Sequence, residues 1–227
     1  MLYEGRTAVV TGAGGGIGRA IALELIDRGM TVHALDLTPP DHPTAGIVPH
    51  VVDVRDSAGL EKVFGTIEGE IELLVNNAGV MRRGRLFQTT EEEFDLLFGI
   101  HVKGSWLTLK HAMPALAKRA TVVQMSSRHA LSPPPDPAVY ALAKQASLHL
   151  GEMVRRSCPD LRVKILCPGP IDTPLSRHGV TGKALEEKIG RMHAPEEFAG
   201  KVMDLIESDR FSLLRFDNDA WGYVFEE

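Results

Sequence analysis

The sequence predicts a single α/β domain built on a doubly wound parallel sheet of about seven strands, with helices on both faces. Three observations carry that prediction. Residues 6–22, RTAVVTGAGGGIGRAIA, pass from a short apolar strand at Ala8 to Val10, through a glycine-dense turn at Thr11 to Gly16, into helical spacing at Ile17, Ile21 and Leu25. A second apolar strand, Thr31 to Leu35, ends at Asp36, which lies 24 positions after Gly12. Short apolar runs then alternate with helix-spaced segments along the chain, as in repeated βαβ units.

The first element has a physical use. Glycine accepts positive φ, and its missing Cβ lets a diphosphate come close to the backbone, while the amides at a helix start supply donors and a favourable dipole. Gly12, Gly15, Gly16, Ile17 and Gly18 are therefore candidate diphosphate contacts. An acid at the end of the second strand, about 20 residues on, suits the hydroxyls of an adenosine ribose, which makes Asp36 the candidate there. The plain alternatives are a tight loop and a solvated strand end.

The 227 residues are 44% hydrophobic and 24% charged, enough for one substantial core and within the size of one α/β domain. A net charge of −5 gives no broad basic surface, which argues against nucleic acid or an anionic membrane as partner and for a small molecule. Cys158 and Cys167 are too few for a disulfide framework. Met1 to Gly5 run straight into the first strand without an export signal, so the cytoplasm is the expected compartment. No apolar run reaches 18 residues, and no histidine falls in HExxH or at zinc spacing with cysteine, so neither a membrane span nor a metal site is expected.

The remaining elements follow in order. Residues 38–49 hold Pro39, Pro40, Pro43 and Pro49 and read as a surface connection. His50 to Val54 reads as a third strand and Ala58 to Ile67 as a helix, with Asp53 a possible cap for its start near Ser57. Ile71 to Val75 is a fourth strand leading into Asn76-Asn77-Ala78-Gly79, and Thr90 to Lys118 gives a long helical pattern opened by a capping box of Thr90 and Glu93. Thr121 to Met125 is a strand ending at Ser126-Ser127, after which Pro133, Pro134, Pro135 and Pro137 predict a stiff loop before a helix from about Ala138. Val163 to Leu166 is a sixth strand, Pro174 to His193 a mobile segment, Pro195 to Glu207 a helix and Phe211 to Phe216 a last strand; Trp221 to Phe225 would cover a neighbouring subunit.

Tyr140 and Lys144 are four apart on one helix face. A phenol with pKa near 10 is a poor base at neutral pH, and bringing it there takes roughly 4 kcal/mol at 1.36 kcal/mol per pH unit. A neighbouring ammonium favours the phenolate, which then takes an alcohol proton or returns it.

The elements Thr11-Gly12-x-x-x-Gly16-Ile17-Gly18, Asn76-Asn77-Ala78-Gly79, Ser127 with Tyr140-x-x-x-Lys144 thirteen residues on, and Pro168-Gly169 stand in one register. Together they resemble the short-chain dehydrogenase/reductase family over about residues 5–207. The resemblance implies a Rossmann-like fold and NAD as cofactor, with Asp36 on the ribose, Asp53 at the adenine amino group, the Val54 amide beside it, and Asn76, Ala78 and Gly79 flanking the ribose. It places Ile171 and Thr173 at the nicotinamide carboxamide, Ser127 on the substrate oxygen, and a substrate lid at about 174–195. Asp36, with Leu37 and Gly15 where NADP-preferring relatives often carry Arg or Lys, implies NAD over NADP.

The resemblance further implies conversion of a secondary alcohol and a ketone on a small molecule, with Tyr140 as general acid/base and Lys144 beside it. It implies a homodimer or homotetramer through helices 91–118 and 138–157. Two departures stand out. His101 occupies the position of a family asparagine whose main-chain carbonyl holds a water against the lysine, and the closing Gly-x-x-x-x-Val-Asp-Gly-Gly is missing. They raise the alternative of a non-catalytic NAD-sensing or scaffolding protein; a lyase or epimerase would need a larger substrate domain. Finally, Arg82 and Arg83, Arg128 and His129, and Arg177 and His178 would bring cations to one pocket mouth for a carboxylated or phosphorylated substrate, unless they face solvent or pair with Glu91 to Glu93 and Asp136.

Overall fold

The structure, a computed structural model, describes residues 3–38 and 44–227. Pro39, Pro40 and Pro43 lie outside the described residues. Apolar runs form the strands, which are buried at the centre of the sheet and exposed along one edge. These are β1 (Thr7–Thr11), β2 (Thr31–Asp36), β3 (Ile47–Val51), β4 (Ile71–Asn76), β5 (Leu116–Met125), β6 (Arg162–Cys167) and β7 (Leu213–Asp217). They lie in the order β3-β2-β1-β4-β5-β6-β7, all parallel, so the winding reverses between β1 and β4.

Side-chain alternation sorts the core into two layers. Ala8 and Val10 of β1 face the helices α1 (Gly16–Asp27) and α9 (Pro195–Glu207), packing with Ile21, Leu25, Phe198 and Met203. Val9 faces the other way, towards α2 (Ser57–Phe64) and α4 (Ser105–Ala112), with Leu60, Leu74, Leu107 and Leu109. Phe198 and Ile21 are 0% exposed, and each such burial contributes about 1.5–3 kcal/mol.

Three sequence expectations are corrected. The sheet has an eighth strand, β8 (Gly222–Glu226), which pairs antiparallel with β7 and adds to the edge of its own chain's sheet. The pattern at 90–118 is not one helix. It holds α3 (Glu91–Phe98), a π-helical turn at Gly99–Gly104 and α4; Pro114 sits in a short 3₁₀ turn, and β5 has begun by Leu116. The segment after Ser127 is not all loop, since α5 (Arg128–Leu131) forms one helical turn ahead of the prolines.

The capping box stands as expected: Glu93 N–H donates to Thr90 Oγ1 and Thr90 N–H to the Glu93 carboxylate, both at 3.3 Å. The helix α6 (Ala138–Ser157) follows the proline loop, and the lid segment folds as α7 (Pro174–Arg177) and α8 (Gly182–Ile189). No side chain of α8 is buried.

Candidate active site

Where the winding reverses, the loops after β1 and β4 separate and leave a crevice at the carboxyl ends of the strands. A cavity of about 280 Å³ opens there, with Gly12, Gly15, Gly16 and Ile17 at one end and Ser127, Tyr140 and Lys144 at the other. A second, of about 160 Å³, is lined by Leu35, Asp53, Val54 and Ala78 and shares Gly12, Asp36 and Gly79 with the first. The two adjoin through those three shared residues.

The turn is held by β4. Thr11 Oγ1 accepts the amides of Asn77 and Ala78, both at 3.0 Å, and Asn77 Nδ2 donates to the carbonyls of Thr11 and Gly12. Gly18 lines neither cavity. A Cβ there would lie 2.1 Å from the Gly12 carbonyl oxygen, so its role is to let α1 start against the turn. Asp36 accepts from Gly14 N–H (2.9 Å) and Thr38 N–H (3.1 Å), which fixes its carboxylate beside the turn.

Asn76 is 3% exposed and also stands behind the cavities, donating to the Ser105 carbonyl (2.9 Å) and Gln124 Oε1 (3.2 Å). Asp53 faces the second cavity, gripped by the Arg55 guanidinium at 2.6–3.0 Å, which holds its carboxyl below the usual range. The cap of α2 falls to Asp56, whose Oδ1 accepts from Ala58 N–H, and not to Asp53. Ile171, 1% exposed, is locked by a bridge to His193, and Thr173 Oγ1 caps α7 by accepting from Ser176 N–H. Both line the larger cavity. Thr11 and Asn77 were missed as site residues, although both sit inside the motifs that mark the turn and the β4 end.

At the other end, Ser126 Oγ donates to the Lys144 carbonyl at 2.8 Å, whereas the Ser127 hydroxyl accepts from His129 N–H at 3.2 Å and bonds the Tyr140 phenol. Tyr140 and Lys144 are buried on α6, with Lys144 Nζ donating to the Met125 carbonyl at 3.3 Å. Burial pushes the Tyr140 phenol up to about 12, against a hydrogen bond with Ser127, and pushes Lys144 down to about 8. The ammonium lies 5.8 Å from the Tyr140 ring centroid. Burial therefore outweighs the expected pull of the ammonium, and the isolated site holds a neutral phenol.

His101 is 1% exposed, in the π-helical turn, with its ring edge-on to Tyr140 at 5.4 Å. Its Nε2 is 2.8 Å from the Val80 carbonyl and 3.4 Å from the Val80 amide. The shorter contact assigns the proton to Nε2. Nδ1 is then a lone-pair acceptor beside Gly79, buried and without a partner among the described residues. Burial, then Lys144, hold the imidazole well below its ordinary pKa, so it is neutral. Its main-chain carbonyl accepts from Ser147 Oγ at 2.9 Å.

The cations do not all gather as expected. Arg177 is paired with Asp172 through two 2.7 Å bonds, and Arg82 donates to the Met81 carbonyl. Asp136 accepts from the Gly84 amide and is not an arginine partner. Among the described residues no group of three or more His, Cys, Asp or Glu could hold a metal ion, and no helix is long and apolar enough to cross a membrane.

Comparison with known proteins agrees with this geometry. The profile of the short chain dehydrogenase family matches residues 6–183. An uncharacterized short-chain type dehydrogenase/reductase of Sinorhizobium fredii is 34% identical over 82% of this chain and 77% of its own. The oxidoreductase UcpA of Salmonella typhimurium is 32% identical over 85% and 76%. Among solved structures, the aldohexose dehydrogenase of Thermoplasma acidophilum superimposes with a TM-score of 0.79 at 27% identity, covering 88% of this chain and 86% of that one. A glycine turn at the switch point, a buried Tyr and Lys on one helix face, and these relationships have one explanation: the chain belongs to the short-chain dehydrogenase family of nicotinamide-dependent oxidoreductases.

Proposed function

We propose that the protein interconverts a secondary alcohol and a ketone on a small molecule with NAD as the hydride carrier. The observation that carries this reading is that Ser127, Tyr140 and Lys144 line the same cavity as the glycine turn. The two adjoining cavities fit a dinucleotide, with an orphaned buried acceptor, His101 Nδ1, in the wall of the larger one. Gly12, Gly15, Gly16 and Ile17 would hold the diphosphate, Asp36 the adenosine ribose, Asp53, Val54 and Ala78 the adenine end, Gly79 and Lys144 the second ribose, and Ile171 and Thr173 the carboxamide. NAD bound there supplies a hydride acceptor, and its reduced form a donor.

The rest is the work of this chain. Ser127 Oγ orients the substrate oxygen, and Tyr140 Oη gives or takes its proton. The neutral phenol of the isolated site is ready to donate, as ketone reduction requires. Alcohol oxidation requires the phenol to be lowered by positive charge, for which Lys144 is placed one helical turn away. Asp36 favours NAD because its carboxylate repels a 2′-phosphate. The intact Ser127, Tyr140 and Lys144 cluster supports catalysis over a sensing or scaffolding role. Phe94, Trp106, Leu142 and Met153 are exposed on α3, α4 and α6, which supports a homodimer or homotetramer packed through those helices.

The test is NAD reduction at 340 nm against a panel of secondary alcohols and sugars, in wild type and Tyr140→Phe. General acid–base catalysis contributes about 10²- to 10⁴-fold, so Tyr140→Phe should lose that much in kcat. A Tyr140→Phe protein that keeps the wild-type rate overturns the assignment.

A further inference from the structure

Four cations from separate segments meet on the lid side of the site. Arg128 follows Ser127 directly, and its amide is held by the Pro168 carbonyl at 3.0 Å. Its guanidinium donates to Asn218 Oδ1 (2.8 Å) and lies 5.9 Å from the Phe216 ring centroid. Phe216 meets Trp221 edge-on at 5.3 Å, and Arg191 stacks over Trp221 at 5.0 Å. Two guanidiniums are thus propped on one aromatic pair at the β7–β8 edge. From the lid, Lys188 donates to the carbonyl of Ser176, itself a wall of the larger cavity. From the loop after β4, Arg83 crosses to the lid and donates to the His178 carbonyl at 3.2 Å.

None of Arg83, Arg128, Lys188 and Arg191 has a carboxylate partner among the described residues, whereas Arg177 beside them is neutralised by Asp172. Instead they act on one another. Burial and then Arg83 and Arg128 hold Lys188 below its ordinary pKa, and burial followed by Arg128, Arg83 and Lys188 brings His129 down to about 4. His129 lies edge-on to Tyr140 at 6.1 Å, with its own amide on Ser127 Oγ at 3.2 Å, so the cluster borders the reacting groups. Unpaired like charges held together cost stability, and a bound anion removes that cost. In a chain of net charge −5 this concentration of positive charge is local.

We infer that Arg128 and Lys188, with Arg83 and Arg191 at the rim, form a cradle for an anionic group, a carboxylate or phosphate, carried by the alcohol or ketone substrate. The inference rests on the reading of Ser127, Tyr140 and Lys144 as the reacting groups. Arg128 supplies a planar fork for bidentate binding and Lys188 a compact point charge. Because Lys188 belongs to α8, the anion would tie the lid to the body of the protein.

The test compares kcat/KM for a secondary hydroxycarboxylate, its primary amide and the corresponding phosphomonoester in wild type, Arg128→Ala, Lys188→Ala and, as a control outside the cradle, Arg177→Ala. One lost hydrogen bond to a charged group corresponds to about 10- to 100-fold in affinity. The ratio of an anionic substrate over the amide should fall by that factor in Arg128→Ala and in Lys188→Ala, and hold in Arg177→Ala. The phosphate and carboxylate arms decide which anion fits. A wild type that prefers the amide, or a preference that survives the Arg128→Ala, Lys188→Ala double variant, overturns the cradle. A binding measurement separates this from failure of the reaction itself: inorganic phosphate is titrated against wild type and the double variant by calorimetry, with Trp221 fluorescence in parallel. If nothing turns over but phosphate binds wild type at least tenfold more tightly than the double variant, the cradle stands and the reaction falls. If phosphate binds both alike, the cradle falls.

Discussion

In the proposed reaction Tyr140 gives or takes the proton, and in the isolated protein its phenol is pushed up to about 12 by burial. Difference absorbance at 295 nm between wild type and Tyr140→Phe should therefore show no phenolate from this residue at pH 10, and should begin to show one on adding NAD. Gly79 and His101 form a matched pair: a Cβ on Gly79 would lie 2.6 Å from His101 Cε1. Gly79→Ala is expected to cost about 1–3 kcal/mol of stability by overpacking, read by urea denaturation, and to weaken NAD binding by moving the ring. Asp36→Ala should relax the preference for NAD over NADP in kcat/KM. At this scale the sequence was readable wherever motif spacing places a side chain, as it brings Ser127, Tyr140 and Lys144 to one cavity. It was silent where a distant residue intervenes: nothing in the order of residues pairs Asp172 with Arg177 in preference to a ligand, or brings Lys188 to Arg128.

Among elements, those fixed by hydrophobic period and caps were legible, including β1, α1, β4 and α6. The break at Gly99–Gly104 was not, because a π-helical turn changes the helix by a single residue and leaves the apolar face nearly continuous. Its effect is local but important, since it carries His101 and turns that residue's carbonyl to Ser147. β8 was also missed as a strand of this sheet, because the choice between covering its own sheet edge and covering a neighbour is made by packing. Phe216 of β7, 2% exposed, packs edge-on against Trp221 and Tyr223 of that segment. Truncation after Asp217 uncovers Phe216 and should cost about 1.5–3 kcal/mol. Thermal and denaturant unfolding check this. The same truncation removes the Tyr223 hydroxyl that accepts from Gly169 N–H.

For the whole molecule, buried Lys144 gives a pH dependence with a definite sign. Its pKa is about 8 when folded against 10.5 for the free group. Between those values the unfolded chain binds more protons, so stability rises with pH from about 8 to 10.5, by roughly 3 kcal/mol at 1.36 kcal/mol per unit. Below about pH 8 the penalty is complete and constant. From about pH 10 to 12 the raised phenol of Tyr140 reverses the trend, because the folded state then holds the extra proton. Denaturant titrations at pH 7, 9 and 10 should show the rise, and Lys144→Met should flatten it. Light scattering at micromolar concentration should give a dimer or tetramer, and monomer alone would remove the assembly. The single domain and its parallel sheet were legible because two-sided burial writes near-continuous apolar runs into the central strands; surface association writes only a few exposed apolar residues.

A helix that buries no side chain has little to lose by coming apart. α8 is joined to α7 through Lys188 on Ser176, and the segment between them meets the body through Arg83 on the His178 carbonyl, while α6 carries seven buried residues. The two therefore belong to different cooperative units. Amides of α8 should exchange with deuterated solvent through local opening, at a rate indifferent to global stability, while those of α6 should wait for the whole domain to unfold. As the proposed lid, this segment would open and close many times without disturbing Ser127, Tyr140 and Lys144.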